Sequence, residues 1–402
     1  MIHRLVSTAD DSGPPGYDEQ YGHGIVNVVA ALTADVPPMA PLVDEPDEIR
    51  QSQWHLDALQ LPAAHEISRG DGITVALVGP GVAGGHPDLH RNLLPGVDLA
   101  EPDRPDALTP TLTGTALAGL IAGHGNRLFD HEPGQRGVLG VAPEATILPV
   151  RVSGADRPDR QAIELAAQGI EWAVANGAQI VCYVGGIASQ DLFADAIEAA
   201  QAAGALVVAP AGGAPDQALW YPAANPAVVA AVAVDDSGAV APDQLPSAPP
   251  QPGAGPLDHD PAEVGPLLAA PGVALVSTAP DAGYTEDSPA GSAAAAIVAG
   301  AAAVVWAAHP ELTGQQVAHR LTATADPAGR VDLLAALTAD VPLPEPPPAA
   351  REPGGAGGGG PQWSFGPVVT AVLLATALVI VVGGAVLWRA RTRRPEHQEP
   401  TG

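Results

Sequence analysis

Short apolar runs that alternate with Ala-rich or amphipathic stretches constrain this chain more than any other feature. Residues 73–78, 146–152, 180–184, 205–209, 228–234 and 273–277 read as strands, and residues 116–123, 161–176, 191–203, 292–308 and 314–324 read as helices. Strands that alternate with helices imply an α/β fold: a doubly wound parallel sheet covered on both faces. The 402 residues suffice for one large α/β domain or two smaller ones plus appendages. Hydrophobic residues make up 46% of the chain but aromatics only 3%, so the core is built from Ala, Val, Leu and Ile. The Pro-, Asp- and Gly-rich stretch 235–266 reads as a long surface loop.

The two ends carry different messages. Residues 367–388 hold no charge, and a helix of that length spans the roughly 30 Å hydrocarbon layer of a bilayer, so a C-terminal transmembrane helix is expected there. Trp363 and Trp388 flank it, and Arg389, Arg391, Arg393 and Arg394 follow at once, which places the 389–402 tail in the cytoplasm and the preceding domain outside. Residues 341–362 are rich in Pro and Gly, with nothing to bury, and read as a tether. At the other end an internal repeat appears. Val26 to Pro37 reads VNVVAALTADVP and Val331 to Pro342 reads VDLLAALTADVP, while RLVSTAD from Arg4 echoes RLTATAD from Arg320. Residues 1–40 thus read as a second copy of the segment that closes a main domain at 53–340. Residues 1–29 lack a charged region followed by an apolar run, so no secretory signal is read there, and translation is expected to begin upstream of Met1 or the frame to have lost its start.

Net charge excludes one class of partner and cysteine content another class of scaffold. At −28 the chain repels phosphate backbones, so no nucleic acid is expected. The single Cys182 allows neither a disulfide framework nor a multi-Cys metal cluster, and reads as a buried small hydrophobe.

Six motifs follow in order: GDGITVALVGPGV from Gly70, HPDL from His86, TGTALAGLIAG from Thr113, GVLGVAPEATILPVRV from Gly137, LVVAPAGG from Leu206 and GSAAAAIVAGAAA from Gly291. Together they resemble the subtilisin-like serine peptidases, family S8. QWHLDAL from Gln53 and the tethered membrane helix narrow the resemblance to mycosins, membrane-anchored subtilases associated with type VII secretion in actinobacteria. The resemblance implies a subtilisin-like fold over residues 53–340. It also implies an Asp, a His, a Ser and an oxyanion-binding Asn at set places. Three of these are replaced. Gly79 stands at the Asp position, Thr113 at the His position and Gly213 at the Asn position, leaving Ser292 alone in the nucleophile slot. His124 is about eleven residues beyond Thr113, roughly 16 Å along a helix, and Asp71 is roughly 26 Å from Gly79 along a strand, so neither is a substitute. A serine without a base is a poor nucleophile, and Ser292 is read as a packing or capping residue.

The family's substrate-pairing edge corresponds to Tyr183, Val184, Gly185 and Gly186; the glycines allow a peptide to add as a strand, and the phenol of Tyr183 is placed to fill part of the groove. No metal and no cofactor are expected, and acidic residues at 101–106 read as a solvated loop. The expected function is a membrane-anchored pseudo-protease that scaffolds or regulates type VII secretion, with a peptide segment or secretion-membrane components as partners. A serine endopeptidase with non-standard residues, a peptide-binding module and a decaying gene duplicate stay open beside it.

Overall fold

The sheet is organised about its first strand. In the computed structural model, which describes residues 7–10, 24–34, 48–104, 106–125, 137–153, 160–186, 193–212, 221–241 and 265–343, seven strands lie in the order β2-β3-β1-β4-β5-β6-β7. They are β1 (Thr74–Gly79), β2 (Val97–Asp98), β3 (Thr146–Arg151), β4 (Ile180–Tyr183), β5 (Leu206–Pro210), β6 (Val228–Val234) and β7 (Leu267–Pro271). Every pairing is parallel. Strand order reverses beside β1, and open α/β sheets place their sites outside the carboxyl ends at such a point.

Helices cover both faces. On one face lie α1 (Leu112–Ala122) and α4 (Ala290–Ala308), packed on Val75, Leu77, Ile180, Cys182 and Val208. On the other lie α2 (Arg160–Ala175) and α3 (Ala194–Ala202), over Ala76, Val78, Val181, Tyr183 and Val207. Successive strand residues divide between the two faces because Cβ atoms alternate across a strand. This is the expected doubly wound α/β fold. Helix α4 is apolar and long enough to cross a membrane, but Gly291 to Trp306 are all buried, so here it is the core helix of the domain. Its run of Ala and Gly lets neighbouring elements approach closely, which suits a chain poor in aromatics.

The strand readings hold for β1, β3, β4, β5 and β6, with ends shifted by a residue or two. The reading at 273–277 does not. The seventh strand is Leu267–Pro271, and Ser277–Ala279 instead forms a two-stranded antiparallel hairpin with Gly283–Thr285. Ala274 takes φ 50°, a left-handed turn that no strand accommodates. Strand β2 is two residues long, too short to leave a periodic signal. Residues 242–264 of the expected loop, residues 344–362 of the tether, the 367–388 run and the 389–402 tail lie outside the described residues.

Two further helices close the domain, α5 (Gly314–Ala323) and α6 (Leu333–Thr338). A capping box starts α5: the Thr313 hydroxyl accepts from Gln316 N–H, and the Gln316 side chain accepts from Thr313 N–H. Each bond satisfies an otherwise unpaired amide. Thr313→Ala is expected to lower stability by about 1 kcal/mol in urea denaturation, with an unchanged denaturant slope.

Candidate functional site

Residues at the carboxyl ends of β1 and β4 meet in one network. Ser292, in the first turn of α4, is buried, and its hydroxyl donates to the Val184 carbonyl at 2.9 Å. The helix is entered at Pro289 with no side-chain cap, so Ser292 does not cap it; its hydroxyl ties the helix to the end of β4 instead. Val184 in turn faces Gly79. A Cβ built on Gly79 would lie 2.2 Å from Val184 Cγ2 and 3.6 Å from Val184 Cβ. The space in which a carboxylate side chain would start is therefore filled by a valine methyl.

Thr113 stands in the first turn of α1, half-buried. That turn is clamped to the loop after β1. Thr111 caps α1 by accepting from Gly114 N–H and donates its hydroxyl proton to Gly81 O at 2.5 Å. Thr115 Oγ1 accepts from Ala83 N–H at 3.0 Å, and a Cβ on Gly114 would stand 2.3 Å from Gly81 O and 2.7 Å from Pro80 O. Only glycine permits that approach. Gly79, Thr113 and Ser292 are thus brought to the same end of the sheet by three elements that contact one another. Gly213 lies outside the described residues.

No base reaches Ser292 among the hydrogen bonds of the described residues. His124 follows the far end of α1, bonded through Nδ1 to Gly125 O. His86 is buried in the HPDL turn. Its Nδ1 accepts from Asp88 N–H, so its Nε2 carries the proton and donates to Gly283 O at 3.0 Å. Burial holds His86 below its ordinary pKa, and the imidazole is neutral at pH 7. Asp88 is buried as well, accepting from Val138 N–H, and burial raises its pKa. These groups tie the loop at 86–89 to the hairpin and to residue 138. The carboxylate nearest in register to Gly79 is Asp98, across β3, about 10 Å of sheet away. It is bound to Arg151, which sits opposite Gly79 in the ladder and also reaches Glu101. Burial opposes the Arg151 charge, but its bonds to Asp98 and Glu101 outweigh burial and raise its pKa. Glu101, read from the sequence as part of a solvated loop, accepts from both Arg104 and Arg151, and those bonds lower its pKa.

The reading of Tyr183 needs correction. Its ring packs 5.4 Å from that of Phe193 on the sheet face opposite α4, the residue is 3% exposed, and burial raises its pKa. Strand alternation sends Cys182 and Val184 toward Ser292 and Tyr183 away, so the phenol is core and does not fill the groove. It lies under Gly185, where an added Cβ would stand 2.5 Å from the phenolic oxygen. Gly185 and Gly186 are half-buried at the end of β4. Cys182 is fully buried, and desolvation pushes its thiol up to about 12, so it is no nucleophile at neutral pH. Val184, which the sequence places only in the substrate-pairing edge, also lies against Gly79. Its place beside Gly79 follows from the parallel register, where Val78 pairs with Tyr183.

A parallel sheet in this order, with α1 and α4 delivering the 113 and 292 positions to the ends of β1 and β4, defines a subtilisin-like serine peptidase scaffold. The chain belongs to the subtilase family, peptidase S8, whose family model matches residues 70–349. Among curated proteins it is 39% identical over 128 residues to subtilisin BL of Lederbergia lenta, covering 32% of this chain and 42% of that one. It is 34% identical over 157 residues to the alkaline protease of Alkalihalobacillus alcalophilus, covering 38% and 37%. The matches thus span about two fifths of those relatives. Among solved structures, MycP1 from Mycobacterium smegmatis is similar with a TM-score of 0.56 at 26% identity, covering 79% of this chain and 91% of that one. MycP1 from the ESX-1 type VII secretion system gives a TM-score of 0.58 at 25% identity, covering 78% and 91%.

Proposed function

We propose that this protein is a membrane-anchored subtilisin-like pseudo-protease that has lost peptide hydrolysis and acts as a scaffold or regulator beside a type VII secretion machine. One observation carries the reading. The hydroxyl in the nucleophile slot, that of Ser292, donates its hydrogen bond to the Val184 carbonyl, while Val184 itself occupies the space that an acidic side chain at position 79 would need. A serine acquires nucleophilicity from an adjacent base, and Thr113 supplies none. Likeness to MycP1 supports a place near a secretion machine. The run at 367–388 and the arginines at 389–394 support a single-pass anchor with the domain outside the cytoplasmic membrane and the C-terminus inside. The domain divisions at 53–340, 341–362 and 389–402 belong to this reading, with residues 1–40 as the second copy of the closing segment.

The test is activity-based labelling. The purified full chain in detergent is expected neither to react with a fluorophosphonate probe nor to hydrolyse peptide esters. Labelling that disappears in Ser292→Ala would establish the competing reading, a serine endopeptidase with non-standard residues. Protease accessibility in spheroplasts tests the anchor: the domain is expected to be cleaved from outside, and a shielded domain would refute the topology.

A further inference from the structure

The repeat in the sequence is also a repeat in space. In the C-terminal copy, residues 329–331 run beside β7: Val331 N–H donates to Ala269 O and Ala269 N–H donates to Gly329 O, both at 2.9 Å. Asp332 then caps α6 by accepting from Ala335 N–H, and Arg320 closes its far end by donating to the Ala336 and Ala339 carbonyls. Val331, Leu333, Ala336 and Leu337 are buried in a groove walled by Leu61–Ala64, α4 and α5.

The N-terminal copy builds the same unit. Asn27 caps the helix Val28–Thr33 by accepting from Ala30 N–H, with φ −99° and ψ 91° against −105° and 92° at Asp332. Asp10 N–H donates to Ile25 O at 2.9 Å, as Asp326 N–H donates to Arg330 O at 2.9 Å. Gly24 and Gly329 both take positive φ, 101° and 76°. The surroundings differ. Val26, Val28 and Leu32, the counterparts of Val331, Leu333 and Leu337, are 58%, 60% and 77% exposed. Among the described residues no hydrogen bond engages the Val26 N–H or the Gly24 carbonyl, the two groups whose counterparts pair with β7.

We propose that residues 24–34 are a docking element for a second subtilisin-like domain whose closing groove stands open, and that they enter it as residues 329–339 enter the groove of this chain. Backbone pairing to an edge strand supplies one half of the fit, and apolar side chains lowered between helices supply the other. A second copy of this chain is a poor partner. Its groove already holds a closing segment, and an exchange would expose as much apolar surface as it buried. The partner is defined by what it lacks: it has an edge strand like β7 and pockets for Leu333 and Leu337, but no strand–helix segment to fill them.

The test uses the full chain, as wild type and as a Leu333→Ala/Leu337→Ala variant that holds its own closing segment loosely, with a fluorescent synthetic peptide of residues 24–37 as probe. Fluorescence anisotropy is expected to show binding to the variant at least about tenfold tighter than to wild type, and loss of that binding when the peptide carries Val28→Asp and Leu32→Asp. Equal affinity for both chains, or binding indifferent to the two aspartates, would overturn the proposal. Where circular dichroism shows the variant unfolded, hydrogen exchange on wild type decides. Excess peptide is expected to speed exchange of the 333–338 amides by competing for the groove, and rates unchanged at saturating peptide would refute the docking.

Discussion

A chain carrying Gly79→Asp, Thr113→His and Gly213→Asn is expected to remain inactive and to lose stability, and to gain ester hydrolysis only when Val184→Ala is added. The reason is a single methyl. Val184 Cγ2 lies 2.2 Å from where a Cβ on residue 79 must stand, whereas Val184 Cβ lies at 3.6 Å, an ordinary van der Waals separation. Alanine at 184 removes the first contact and keeps the second. Without it the new side chain overpacks a closed junction, at a cost of about 1–3 kcal/mol, and pushes the carboxylate off the line to an imidazole at 113. With the methyl gone, Ser292 has to turn from the Val184 carbonyl toward that imidazole, a rotation about one bond. A complete Ser, His and acid unit is worth on the order of 10⁶ in kcat, and the members act together, so the fourfold variant should exceed the threefold one by at least about 10³ in turnover. Ester hydrolysis by both variants, with urea denaturation to confirm folding, checks this. Equal turnover in the two would show that Val184 is not the obstacle.

The second large effect concerns acid stability. His55, in the short helix His55–Ala58 ahead of β1, is fully buried, and both ring nitrogens lack a hydrogen-bond partner. Desolvation of the charged form lowers its pKa from 6.5 to about 4. In the unfolded chain the imidazole takes up a proton near pH 6.5, while the folded chain keeps it neutral down to about 4. Between those values the unfolded state binds more protons, so stability falls as pH falls through this window and is regained above it. From pH 7 to pH 4.5 the loss from this residue alone should be about 2–3 kcal/mol. His55→Leu is expected to remove that part of the pH dependence. Burial also lowers the pKa of His65, His86 and His124, but these remain in both proteins and cancel in the comparison. Urea midpoints at the two pH values measure the effect, and the same acid loss in both proteins would rule His55 out.

Sequence by itself determined the class of fold and the order of most strands and helices. These are local matters: apolar runs, helical periodicity and the letters in a motif. The α5 capping box is local in the same sense, since Thr313 and Gln316 satisfy each other within one turn. Orientation was not legible from motif letters alone. Tyr183 turns into the core and Val184 into the space beside Gly79 because strand parity and the β1–β4 register decide it, and a register is a relation between distant segments. The two copies of the closing segment separate the causes most cleanly. Near-identical letters fold into the same capped helix at Val28–Thr33 and Leu333–Thr338, with cap angles that agree within about ten degrees, because capping depends on neighbours a few residues away. One copy is buried and the other exposed, because only the second follows α5 into a groove made by Leu61–Ala64 and α4, and burial depends on what the rest of the chain brings alongside.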